Sequence, residues 1–228
     1  MKRLQVARVG EVLLVKRRGA KSLRLTITAD DVVRVTLPTW VPYQAGIAFL
    51  QSRTEWIEKH RRPQREFKQH ELIGKAHRLY FDAKDTAAVR TRVTTTEIRI
   101  SHSSTLASNS ASVQQVVSKA AMRALKQEGE HLLPQRLQIL AAKYGFAYRS
   151  VTLKKLTARW GSCSHRQEIT LNIFLMQLPW HLIDYVLIHE LVHTKILHHG
   201  SDFWAEFQHH IPDAKARRKE LRAFHPSF

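Results

Sequence analysis

Acidic residues are scarce in this chain: 19 Asp and Glu stand against 37 Lys and Arg, for a net charge of +18. A surplus of this size favours nucleic acid, nucleotides or an acidic protein as a partner, with a solvated basic surface as the plainer alternative. Cysteine is almost missing. With Cys163 alone no intrachain disulfide can form, which fits a reducing cytoplasm. No apolar run approaches a membrane span, and Met1-Lys2-Arg3-Leu4-Gln5-Val6-Ala7-Arg8 lacks the apolar stretch of a signal peptide. A cytoplasmic protein without a membrane partner is therefore expected. No internal repeat is visible, and no RNA- or DNA-binding motif accompanies the charge.

What is present is a chain of 228 residues, 43% hydrophobic, long enough to bury a core in one domain or two small ones. The basic surplus is uneven. Residues 1–78 hold 17 Lys and Arg against 7 Asp and Glu, residues 79–150 hold 10 against 5, and residues 151–228 hold 10 against 7.

That least basic third contains the stretch with chemistry in it. His189-Glu190-Leu191-Val192-His193-Thr194-Lys195-Ile196-Leu197-His198-His199-Gly200 reads HExxH followed by a third histidine six positions on. Residues four apart on an α-helix share a face, so His189 and His193 lie about 6 Å apart along the axis and can share one tetrahedral metal ion. Glu190 lies about 100° round the helix, where it can take a proton from water activated by the metal. The third ligand must come from beyond the helix. His199 is the choice and His198 the competitor, and the chain must reverse near Leu197–His198, with Gly200 suiting the exit. An all-imidazole set points to one Zn²⁺ ion.

The remaining pattern predicts an α+β protein with a β-rich basic N-terminal module over 1–105 and a metal-binding domain over 106–228. Residues 4–37 read as a β-meander, with strands at Glu11–Arg17, at Leu23, Leu25 and Ile27, and at Val33, Val35 and Leu37. Its turns fall at 18–20 and 29–31. A single helix is expected from Tyr43 to His60, stopped by Arg61-Arg62-Pro63. Strands are expected at His77–Phe81, Val89–Val93 and Glu97–Ile100, and the Ser-rich stretch 101–112 reads as a linker between modules. From Val113 to Tyr144 a helix is expected to kink or split at Pro134 and to end at Gly145. Three short strands follow, at 150–156, 158–163 and 168–173. Trp180–Ile188 then reads as a buried helix running into the histidines. Ser201 can cap another helix, and Asp213 begins a last one.

Four segments together, Arg159-Trp160-Gly161-Ser162-Cys163-Ser164, Ile169-Thr170-Leu171-Asn172, Ile183–His193 and His199-Gly200-Ser201-Asp202-Phe203-Trp204, resemble the YgjP-like family of bacterial metal-dependent hydrolases, which is related to the SprT-like and WLM zinc peptidases. Lys21–Leu25, Thr36-Leu37-Pro38 and Trp56-Ile57 resemble it as well. The resemblance implies a zincin-like metal-binding domain of helices and a small antiparallel sheet beside an N-terminal β-rich module. It implies ligands at His189, His193 and His199, with Glu190 catalytic. In the zinc-peptidase arrangement an edge strand lines the cleft and holds an extended substrate. Val192 stands where many relatives carry cysteine, and helical spacing turns it away from the metal. The glycine with which metzincins break the helix is replaced by Ile196, which sets the chain apart from them.

Further residues have weaker claims. Asp202 could orient a ligand imidazole, or simply favour a helix N-terminus. Arg159 and His165 could donate to an oxyanion, with surface or strand packing as the alternative. Asn172 could hydrogen-bond the cleft backbone, while Asp184, Trp160 and Cys163 read as structural. The expected activity is a metallopeptidase acting on peptide or protein. The rivals are a nucleotide triphosphate pyrophosphatase, an activity assigned to some relatives, and a nucleic-acid-associated protein. In the last, the metal would be structural and need a fourth ligand from His198 or Cys163.

Overall fold

Val33, Val35 and Leu37 alternate with more exposed residues and are fully buried, the signature of a strand with one face on a core. In the computed structural model, which describes residues 1–6, 9–28, 32–60, 65–86 and 88–228, this strand is one of the two inner members of a four-stranded sheet. The strands are β1 (Lys2–Val6), β2 (Gly10–Arg17), β3 (Arg24–Ile27) and β4 (Val33–Pro38), in the order β1-β2-β4-β3. β2 pairs with β4 in parallel, and β3 lies at the edge, antiparallel to β4. The expected meander would have placed β3 in the middle. Burial decides the order: Val12 and Leu14 of β2 are fully buried like the apolar face of β4, whereas β3 has no fully buried residue. The turn expected at 29–31 and the helix stop at 61–63 lie outside the described residues.

The single helix expected over 43–60 is two helices, α1 (Tyr43–Gln51) and α2 (Thr54–His60). The Ser52 N–H closes α1 onto the Ala48 carbonyl, and Leu50 and Ile57 join the sheet's buried face in one small core.

By packing the chain divides into two compact units, Met1–Arg65 and Glu66–Phe228, so the observed boundary differs from the expected 105/106. In the second unit a sheet of β5 (Leu72–Ile73), β6 (His77–Lys84), β7 (Arg90–Val93) and β8 (Glu97–Ser103) has the order β5-β6-β8-β7. Ile73, Leu79, Ile98 and Ile100 from this sheet share one core with Val113, Val117, Ala121 and Leu125 of α3 (Ala111–Tyr144). The serine stretch is therefore no linker. The Gln114 side chain accepts from the Phe67 N–H and donates to the Phe67 and Ser108 carbonyls, stitching the start of α3 to the segment ahead of β5.

α3 continues through Pro134 as one helix of 34 residues, so the chain does not split there. Buried Leu133 and Leu137 hold the helix on both sides of the proline, and packing outweighs the one lost hydrogen bond. Gly145, at φ 68°, ends the helix in the left-handed region as expected. A bidentate pair from Arg136 to Asp184, at 2.7 and 2.6 Å, ties α3 to α4 (Trp180–Val192).

Between them lies a three-stranded sheet of β9 (Ser150–Lys154), β10 (Gly161–Cys163) and β11 (Glu168–Asn172), in the order β10-β11-β9. β10 pairs antiparallel with β11, but β9 pairs with β11 in parallel, so the expected antiparallel sheet is mixed. A short 3-10 turn over Ile173–Gln177 leads into α4, and α5 (Ser201–His210) and α6 (Ala214–Leu221) complete the unit. Among the described residues no helix is long and apolar enough to cross a membrane.

Candidate metal centre

α4 is buried nearly all round, which explains why its sequence shows a continuous apolar run rather than an amphipathic stripe. Its last turn carries His189 and Glu190, and His193 is the C-terminal cap. The helix stops there, earlier than the reversal expected at 197–198. The N–H groups of Thr194, Lys195 and Ile196 fold back onto the Leu191 and Val192 carbonyls, so no glycine is needed to break it. Gly200 is extended rather than left-handed, and its N–H donates to His198 Nδ1.

This turn brings His199 back over the helix. The Nε2 atoms of His189, His193 and His199 form a triangle with sides of 3.2, 3.1 and 3.0 Å. His198 is not part of the group, and neither is Cys163. The His193 Nδ1 donates to the Ile196 carbonyl at 3.0 Å, which leaves its Nε2 as a lone pair. Neutral rings with one proton each cannot satisfy all three N···N contacts, because two donors or two lone pairs must then face each other. A shared cation removes that conflict. The triangle's centre lies about 1.8 Å from each nitrogen, so a point slightly off its plane is at the Zn–N distance from all three. The donor set therefore fits a zinc ion, with His189, His193 and His199 as the residues that would hold it. Burial first, and then the neighbouring His193 and His199, push the His189 pKa down to about 3, so its lone pair stays available near neutral pH.

Glu190 is 5% exposed, and burial raises its carboxyl to about 8, with the charge of Arg159 pulling the other way. Its Oε2 is buried and has no hydrogen-bond partner among the described residues. A buried acceptor left open in this way calls for a donor from solvent or substrate. Gly161 of β10 makes the room: a Cβ there would lie 2.7 Å from Glu190 Oε1.

The other sequence candidates fall into place unequally. Asn172 is fully buried, and its Nδ2 donates to the Leu156 and Arg159 carbonyls at 2.8 Å each, fixing the loop that carries Arg159 toward Glu190. Asp202 makes no bond to a ligand imidazole among the described residues. It is exposed in the first turn of α5 and accepts the Ser201 hydroxyl, which fits the helix-terminus alternative. His165 is exposed in the turn after β10. The Cys163 thiol is pushed up to about 11, chiefly by burial and then by Glu190, so it is no nucleophile. Asp184 has the structural partner already described.

Two residues of the site, Phe203 and Gly161, enter the sequence reading only as members of family-like segments, with no role of their own. Phe203 is fully buried, and its ring centroid lies 4.8, 4.6 and 4.8 Å from those of His189, His193 and His199, so it forms the floor under all three. Nothing but the apolar face of α5 announces it. Gly161 likewise looks like any strand glycine until the neighbouring helix is placed.

A family model described as YgjP-like, metallopeptidase domain matches residues 21–224. Among solved structures, the metallopeptidase zymogen of Pyrococcus abyssi abylysin is similar at 26% identity and a TM-score of 0.38, over 40% of this chain and 93% of that one. Among curated proteins none matches.

Proposed function

The chain belongs to the YgjP-like metallopeptidase family, and from that premise we propose that it is a zinc-dependent peptidase with Glu190 as its general base. The observation that carries the reading is the imidazole triangle of His189, His193 and His199, with a buried carboxylate on the neighbouring residue. When bound, zinc supplies Lewis acidity toward water and a substrate carbonyl.

The chain's own groups do the rest. Glu190 Oε2 accepts the proton of the attacking water and returns it to the leaving nitrogen. Burial raises this carboxyl in the metal-free protein, whereas the positive charge of a bound zinc would favour its ionised, proton-accepting form. Arg159, whose charge reaches Glu190, is a candidate donor to charge developing on the substrate oxygen. β10 is an edge strand that packs on α4 and, among the described residues, pairs with a strand on one side only, so its other edge can pair with an extended peptide. That pairing would lay the peptide beside Gly161 and hence beside Glu190.

The nucleotide reading has less support. Triphosphate hydrolysis usually relies on Mg²⁺ held by carboxylates, and no carboxylate joins the imidazole group among the described residues. Metal analysis together with incubation of the protein with unfolded polypeptide and with nucleoside triphosphates tests both. One zinc per chain and peptide cleavage are expected, with Glu190→Gln keeping the zinc and losing the cleavage. Cleavage by the zinc-loaded variant would reject Glu190 as the base, and triphosphate hydrolysis without proteolysis would reject the substrate.

A further inference from the structure

The first unit concentrates positive charge at one end of its sheet. β2 and β4 run parallel and β3 runs against β4, so the C-terminal ends of β2 and β4 meet the start of β3. The register places Arg17 beside Pro38 and Arg24 beside Thr36. Lys16, Arg17, Arg18, Lys21 and Arg24 are all exposed there. No acidic residue occurs between Glu11 and Asp30 or between Asp31 and Glu55, and none of these five cations has an acidic partner among the described residues.

An aromatic ring stands in the same place. Trp40, in the turn that follows β4, is 77% exposed. Lys16 Nζ reaches the Thr39 carbonyl at 3.0 Å, one residue before Trp40, and lies 5.1 Å from the Tyr43 ring centroid, which ties the end of β2 to the turn that carries the indole. An indole this bare has no structural role in the core of Val12, Leu14, Val35 and Leu37 beneath it. Strand spacing puts Arg17 and Arg24 about 12 Å apart across β4, a span that several nucleotides of a single strand can follow.

We propose that this end of the sheet binds single-stranded nucleic acid, with the five cations on its phosphates and Trp40 stacked on a base. Charge complementarity selects a polyanion, and the exposed indole selects one with flat, unpaired rings over an acidic peptide. The site is separate from the imidazole triangle and does not depend on the peptidase activity.

Fluorescence anisotropy of labelled oligo-dT of 20 nucleotides, titrated with the full-length zinc-loaded protein, tests the proposal. Binding at 50 mM KCl should weaken with salt at about −0.7 in log K per log [salt] for each phosphate engaged, hence about −3.5 for the five cations. Arg18→Glu with Lys21→Glu should lower affinity at least about tenfold and flatten that slope by about 1.4. Trp40→Ala should weaken binding about tenfold without changing the slope. All these residues are exposed, so zinc content and the urea midpoint should stay as in the wild type and exclude misfolding. The proposal is overturned by absent binding at low salt or by indifference to charge reversal. It is equally overturned if duplex binds as tightly and Trp40→Ala has no effect, or if poly-glutamate of equal length competes on equal terms.

Discussion

Gly161→Ala adds one methyl group at the point where β10 meets Glu190. The new Cβ would lie 2.7 Å from Oε1, 2.8 Å from Cγ and 2.9 Å from Cδ of that side chain. Comfortable contacts between carbon atoms need about 3.5–4.0 Å, so the overlap with the two carbons is roughly 0.6–1.2 Å, and the oxygen is closer still. Neither backbone can retreat cheaply. Gly161 is in register with fully buried Leu171, and Glu190 rides on a helix whose Leu191 and Val192 are fully buried. The carboxylate must therefore swing aside, at a cost of about 1–3 kcal/mol in stability. A general base displaced by about 1 Å loses on the order of a hundredfold in rate. The three atoms nearest the new methyl all belong to Glu190 and none to an imidazole, so zinc content should be unchanged. Urea midpoints, zinc per chain and the initial rate of cleavage of an unfolded polypeptide check the three statements. A double-mutant cycle sharpens them: in a Glu190→Ala background, Gly161→Ala should cost nothing further. Undiminished cleavage by Gly161→Ala, or the same stability cost in both backgrounds, would show that this contact does not position Glu190.

Two other outcomes follow from the same site. In metal-free protein, Glu190 binds its proton more tightly folded than unfolded, so its stabilising contribution is complete below about pH 4.5 and is lost as pH rises through 8. Wild type should therefore lose about 4 kcal/mol more than Glu190→Gln between pH 5 and 8 in urea titrations with chelator, at about 1.4 kcal/mol per pH unit. His189 acts in the opposite sense below 6.5 but is common to both proteins, and parallel profiles would refute the assignment. Phe203→Ala should cost about 3–5 kcal/mol as a fully buried ring and weaken zinc binding as well, read by competition with a chromophoric chelator; unchanged zinc affinity would mean that the floor does not align the rings.

The site was legible where its logic is local. The i, i+4 spacing of His189 and His193 and the identity of the residue between them carry over directly from helix geometry. His199 was legible as the third member of the imidazole group but not the route to it, because the helix ends through ordinary turn bonds at 193–196 that leave no mark in the sequence. Phe203 and Gly161 were hidden because their roles exist only between elements. The same limit runs through the fold. Local alternation revealed β2, β3 and β4, but their order depends on which strand is buried on its neighbours. The serines at 101–112 suggested a linker, and only the Gln114 bonds and the shared core correct that. Pro134 argued for a break that tertiary packing overrides.

The long helix α3 has a practical consequence. At 34 residues it is a strut about 51 Å long. Its first half is roofed by the β5–β8 sheet, while its second half is bonded through Arg136 to the helix that carries the histidines. A fragment cut at residue 106 would keep the strut and strip its roof, laying bare a greasy stripe along Val113, Val117, Ala121 and Leu125. Such a piece would clump rather than stand alone. The smallest excisable catalytic piece accordingly begins near Glu66, and the small sheet travels with the chemistry as its scaffolding.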